Sequence, residues 1–179
     1  LFAEPVVDNR FLAAYYGDMK RWAFTLQLEF LIRRIEHHEL IHTVPKACVQ
    51  DRSLIEDPEI FAKYLHGLGN MTDSELDLYL EYFRRLTHDV RQPDLVIFLR
   101  GDEQTSMERI RTRGRKEEAG ISLEFLAGLR AYYDTFEGVA RHKYDLNLLT
   151  IDLSTLDMRT EAGERQLVAA VREKLGWSD

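Results

Sequence analysis

A chain of 179 residues with 45% apolar and 31% charged side chains has the length and balance of one soluble globular domain. Its net charge of −7 speaks against broad binding to nucleic acid or an anionic membrane, and no apolar run approaches the roughly 20 residues that span a bilayer. A single cysteine, Cys48, excludes an intramolecular disulfide and fits a reducing cytoplasm.

Residues 1–7 read as a strand already in progress, and a start at Leu1 rather than methionine leads us to expect earlier sequence upstream. Glu4 and Asp8 stand where a signal peptide would carry basic residues. Residues 20–38 contain neither proline nor glycine and predict one long helix capped by Asp18. An apolar segment at 46–50 predicts a buried strand that ends in Asp51-Arg52-Ser53. Residues 58–68 predict a helix with Pro58 at its favoured first position and Asp57 as its cap. Thr72 and Glu75 make a capping-box pattern ahead of a helix over 72–91. A second strand over 94–99 runs into Arg100-Gly101-Asp102, and a third over 148–151 runs into the polar stretch 152–155. Helices over 103–112, 122–141 and 161–175 complete the alternation. Such alternation predicts a parallel sheet with right-handed crossovers, with ligands beyond the carboxyl ends of the strands, where the polar clusters lie. No repeat or linker divides the chain, so residues 1–179 are expected to form one domain.

Four features carry chemistry. The stretch 109–116 holds five cationic side chains in an otherwise acidic protein. On a helix Arg109 and Arg113 share a face, and Gly114 lets the backbone turn to present Arg115 separately. Converging guanidinium groups suit phosphoryl transfer; the alternative is a solvated basic helix paired with Glu117 and Glu118. Glu4, at the end of the first strand, can accept the proton of an attacking hydroxyl, or it is an ordinary surface glutamate. Arg52, after a buried strand, can hold a carboxylate and a phosphate together, or it is part of a helix cap with a salt bridge. Gln27 and Arg34 lie seven residues apart on one helical face, where a glutamine amide matches a nucleobase edge, or it is a satisfied core amide among aromatic neighbours. His37, His38 and His42 lack the spacing of a zinc site, and Cys48 reads as a small core residue.

Taken together, these segments resemble the deoxynucleoside kinase family, in its branch of bacterial deoxyadenosine/deoxyguanosine kinases. The resemblance runs from Glu4 to about Phe136 and rests on Glu4-Pro5-Val6, Tyr16, the stretch 20–24 with Gln27, the stretch 51–57 with Phe61, the stretch 93–99, and the arginine-rich stretch 109–118. It implies an α/β, P-loop kinase-like three-layer fold: a parallel sheet flanked by helices, with an arginine-rich lid over about 109–120. The implied reaction moves the γ-phosphoryl group of ATP, or another nucleoside triphosphate, onto a deoxynucleoside 5′-hydroxyl with Mg²⁺, in cytoplasmic nucleotide salvage. Glu4 matches the base and Arg52 the residue that holds that carboxylate and the transferring group. Tyr16 and Glu118 match the pair on the sugar 3′-hydroxyl; Gln27 matches the reader of the base edge, and Phe61 the ring that stacks on it. Arg34 and Asp57 match positions that tune base choice, and here imply a purine. Arg109, Arg113 and Arg115 match the lid arginines, Asp51 a carboxylate near Mg²⁺, and Asp152 a contact to the donor nucleotide. Family members are homodimers packed through helices, for which 58–68 and 122–141 are the candidates.

One family element is not found. No G-x-x-x-x-G-K-[ST] loop occurs in these 179 residues, so a protein limited to them is expected to transfer no phosphate. Two other readings stay open. One is a thymidylate kinase-like enzyme, against which Val6-Val7 stand in place of a glycine pair. The other is an inactive kinase-like subunit that binds nucleosides or plays a structural part.

Overall fold

The structure, a computed structural model, describes residues 1–3, 9–115, 118 and 120–177. Phe2 and Gln50 make the first parallel contact: the Phe2 N–H donates to the Val49 carbonyl and the Asp51 N–H to the Phe2 carbonyl, each at 2.8 Å. This is a single bridge rather than the strand predicted over 46–50. A strand is held by successive ladder bonds, and only this pair is made among the described residues, which leaves Val49 exposed.

The helices start where polar side chains satisfy their first N–H groups. The short α1 (Leu12–Gly17) has no side-chain cap, so no capping signal announces it in the sequence. Asp18 caps α2 (Met19–Thr43) by accepting the Arg21 N–H at 3.1 Å. Residues Asp57–Ala62 wind as a π-helix that continues into α3 (Lys63–Gly67). Asp57 is not the cap predicted for it: its carboxylate turns inward to Arg34. The Thr72–Glu75 capping box opens α4 (Asp73–Leu86), as predicted. That helix ends at Leu86 rather than 91, where the Thr87 hydroxyl donates to the Phe83 carbonyl at 2.7 Å and Pro93 disfavours helix at Gln92.

Strands β1 (Val96–Arg100) and β2 (Leu148–Asp152) pair in parallel from Val96–Leu148 to Arg100–Asp152. Between them run α5 (Glu103–Arg113), capped by Asp102 and closed by Gly114 at φ 66°, and α6 (Leu123–His142), capped by Ser122. The last helix, α7 (Glu161–Leu175), is capped by Thr160 and packs on β2.

The core lies between α2, the π-helical segment, α4 and α6, with Leu31, Ile60, Tyr79 and Phe136 fully buried. Phe98 of β1 packs on Phe136 and stacks on Tyr133 at 6.1 Å, which seats the strand pair on α6. The two helices expected to carry a dimer contact face each other within the chain. Tyr64 of α3 donates its hydroxyl to the Phe125 carbonyl at 2.9 Å, and Gly128 permits the approach, since a Cβ there would lie 2.5 Å from that hydroxyl. Among the described residues no helix is long and apolar enough to cross a membrane.

Candidate active site at the strand ends

A cleft of about 670 Å³ opens beyond the carboxyl ends of β1 and β2. Its floor is the turn after Gln50, with Asp51 and Arg52; its sides are Gly101 and Asp102 after β1, Asp152 and Ser154 after β2, and Arg130 and Tyr133 from α6. This is where an open parallel sheet collects ligands. Asp152 accepts the Ser154 hydroxyl at 2.6 Å and its N–H at 2.8 Å. Those bonds, aided by the nearby Arg100 charge, hold its carboxyl below the ordinary range. Arg130 donates to Glu103 at 2.9 Å, which ties α6 to the start of α5 along the rim.

Arg52 adopts a left-handed backbone, φ 65°, uncommon for a residue with a Cβ. Its guanidinium lies over the Phe61 ring, 4.1 Å from the centroid, and the same ring meets the edge of Tyr133. A cation thus covers one face of the ring expected to stack on a base.

Behind this turn lies a buried polar group. Arg34 donates from Nε and Nη2 to the two Asp57 oxygens at 2.7 and 3.1 Å, and from Nη1 to the Asp51 carbonyl at 3.3 Å. Gln27, two turns earlier on the same buried face, leaves its Oε1 without a hydrogen-bond partner among the described residues. The Tyr79 hydroxyl is likewise buried and unpaired among them; burial, and then the Asp57 charge, push its pKa well up.

The lid residues form a cluster of their own. Arg113 donates to both Glu118 oxygens, at 2.8 and 2.7 Å from Nη2, and Arg115 reaches Oε1 at 3.3 Å. Arg109 is exposed on α5. None of these four residues lines the cleft. Tyr16 is half-buried at the end of α1, its ring 5.2 Å from that of Tyr15. Glu4 lies outside the described residues. The structure therefore brings Asp51, Arg52 and Asp152 to one cleft, joins Arg34 and Asp57 to it through a backbone carbonyl, and holds Arg113, Arg115 and Glu118 apart from it.

The deoxynucleoside kinase family model matches residues 1–175. The chain belongs to the deoxynucleoside kinase family. Over 142 residues it is 35% identical to a deoxyadenosine kinase of Dictyostelium discoideum, an alignment covering 79% of this chain and 58% of that protein. It is 33% identical to a deoxyadenosine/deoxycytidine kinase of Bacillus subtilis, with 74% and 62% covered. The chain thus spans about three fifths of the length of these curated relatives. A deoxyadenosine kinase from M. mycoides, solved with bound dATP, superposes with a TM-score of 0.81 at 28% identity, covering 96% of this chain and 84% of that one. The α/β architecture, a parallel sheet flanked by helices, is thereby shared with solved deoxynucleoside kinases.

The residues with no prior expectation are those around Arg52: Gln50, Glu56 and Tyr133. Glu59 is another, a buried carboxylate that accepts from Lys63, Lys143 and Tyr144. Its sequence signal is the i, i+4 pair Glu59–Lys63, indistinguishable there from a surface pair.

Proposed function

We propose that this protein transfers the γ-phosphoryl group of a nucleoside triphosphate, ATP in the simplest case, to the 5′-hydroxyl of a deoxynucleoside, with a purine preferred. The observation that carries the proposal is the Asp51-Arg52 turn at the cleft floor, bonded through Arg34 to the buried Asp57 carboxylate. That arrangement joins a group suited to a phosphoryl oxygen with a polar pair suited to a base edge. The resemblance assigns Glu4 as the base for the 5′-hydroxyl, Tyr16 and Glu118 to the sugar, and Arg109, Arg113 and Arg115 to the donor phosphates.

Mg²⁺ fits the residues present in a limited way. Among the described residues no cluster of three or more His, Cys, Asp or Glu could hold a metal ion. Mg²⁺ in phosphoryl transfer needs only one or two carboxylates beside the phosphates themselves, and Asp51 at the cleft floor supplies one. Bound there with the donor, the ion would neutralise phosphate charge. Arg52 would hold the transferring group, and Asp152 and Ser154 would meet the donor nucleotide at the far side of the cleft.

A cytoplasmic homodimer is part of the same proposal, by analogy with the family. The test is an assay of the full-length protein with ATP, Mg²⁺ and, in turn, each of the four deoxynucleosides and thymidine monophosphate. Formation of the 5′-monophosphate supports the proposal. Deoxynucleoside binding without transfer would select the binding-subunit alternative, and preferential transfer to thymidine monophosphate would select the thymidylate kinase-like one.

A further inference from the structure

We propose that Gln50 and Glu56 are positioning residues that together force Arg52 into its left-handed conformation; this rests on the reading of Arg52 as a phosphoryl-holding group. The Arg52 carbonyl and the Ser53 N–H belong to the same plane. Gln50 Nε2 donates to that carbonyl at 3.0 Å, and Glu56 Oε1 accepts from that N–H at 2.9 Å. The plane is therefore gripped on both edges by side chains from opposite ends of the turn. Glu56 Oε1 also accepts the Ser53 hydroxyl at 3.0 Å, while its Oε2 accepts from the Tyr133 hydroxyl at 3.3 Å. The grip is thus anchored to α6 through Tyr133, which also stacks on Phe98 of β1.

A residue with a Cβ at φ 65° relaxes to negative φ unless its surroundings hold it. Fixing the following peptide plane restrains ψ of Arg52 and φ of Ser53, and the Arg34 bond to the Asp51 carbonyl holds the preceding plane, so φ of Arg52 is caught between two held planes. The side chain is then directed over Phe61 and the cleft floor instead of along the strand. The Gln50 side chain supports the assignment: its Oε1 is buried with no partner among the described residues. A glutamine held this way serves its amide donor, at the expense of its acceptor.

The experiment uses the full-length protein with Gln50→Leu, Glu56→Ala, both together, and the conservative Glu56→Gln, which keeps an acceptor for Ser53. The double variant should lose on the order of 10²-fold in kcat, as expected for a misplaced catalytic group, with KM for the deoxynucleoside changed by no more than about twofold. Glu56→Gln should recover most of the single-variant loss. In an Arg52→Lys background the same substitutions should cost no more than about twofold further, because the group they position is gone. Crystal structures of the variants should show Arg52 at negative φ. If Arg52 stays left-handed, or if the loss persists undiminished in the Arg52→Lys background, the clamp is wrong. Should the double variant not fold, the single variants are read by the same criteria. If the unsubstituted protein transfers no phosphate, the kinase proposal fails, and the backbone of Arg52 in the variants still decides the clamp.

Discussion

Arg34 donates to both oxygens of the Asp57 carboxylate, and the two side chains are only 1% and 2% exposed. A third bond from the same guanidinium reaches the Asp51 carbonyl, so the pair expected to tune base choice also steadies the turn that carries Arg52. Charges this deeply buried depend on each other. Removing one partner leaves an uncompensated charge, which costs about 3–5 kcal/mol. Arg34→Met and Asp57→Leu should each destabilise by that amount in urea unfolding. The double variant should cost less than the sum, because neither charge is then stranded. Additive losses would show that the two do not act as a pair.

Glu59 makes a different use of burial. Burial raises its carboxyl, but bonds from Lys143, Lys63 and Tyr144 outweigh this and leave it below the ordinary glutamate range. These partners join the π-helical segment to the end of α6, just ahead of β2. A depressed folded pKa contributes stability that is present above the unfolded value of about 4.3 and is lost as pH falls through the folded one. Lys63 and Lys143 are themselves 39% and 58% exposed, which limits the effect through solvent screening. Glu59→Gln should cost about 1–2 kcal/mol at pH 7, and the gap to the unsubstituted protein should narrow towards pH 3. A gap independent of pH would mean that the carboxylate charge contributes nothing.

Much of this architecture is legible in the sequence, because caps and apolar runs are local signals. Asp18, Thr72 with Glu75, Ser122 and Gly114 mark helix ends where the structure has them. Asp57 shows the limit. Its place before Pro58 matches a helix cap, yet the structure spends its carboxylate on Arg34, 23 residues away in the chain. No local pattern distinguishes those two uses of an aspartate. The grip on Arg52 is hidden for the same reason: Gln50 and Glu56 flank the turn as ordinary polar residues, and only the backbone geometry shows them meeting one peptide group.

Arg113 and Arg115 share the Glu118 carboxylate, which the resemblance also assigns to the sugar 3′-hydroxyl. If these arginines serve the donor phosphates, Arg113→Ala should lower kcat on the order of 10³-fold. Deoxynucleoside affinity measured calorimetrically without ATP should barely move. A collapse of that affinity instead would place Arg113 on the nucleoside.

For Glu4, which lies outside the described residues, the expectation rests on the sequence, at the end of the predicted first strand, and on the resemblance. In the full-length protein Glu4→Gln should reduce kcat by roughly 10²–10⁴ while deoxynucleoside binding stays similar. Near-normal turnover in this variant would remove Glu4 from the role of base.

If the proposed function holds, the choice of base should follow from which hydrogen bonds the buried group still has to offer. Each Asp57 oxygen accepts one bond from Arg34 and retains capacity for another. Gln27 Oε1 accepts none among the described residues. Among the described residues both groups therefore have room for a further donor, and a base that brings an exocyclic amine supplies one. Adenine, guanine and cytosine carry such an amine; thymine offers a single ring N–H between two carbonyls, and a methyl group beside them. A carbonyl directed at the Asp57 carboxylate leaves two acceptors face to face, and an unmatched buried polar group costs a few kcal/mol. That is enough for a hundredfold preference or more. We therefore expect deoxyadenosine or deoxyguanosine to be the best substrate, deoxycytidine to be accepted, and thymidine to be poor. Measuring kcat/KM for all four with the full-length protein decides the matter. Thymidine in first place would refute the part given to Arg34 and Asp57. Relaxed selectivity in a folded Gln27→Leu variant, with thymidine gaining relative to the purines, would tie the preference to the orphaned acceptor itself.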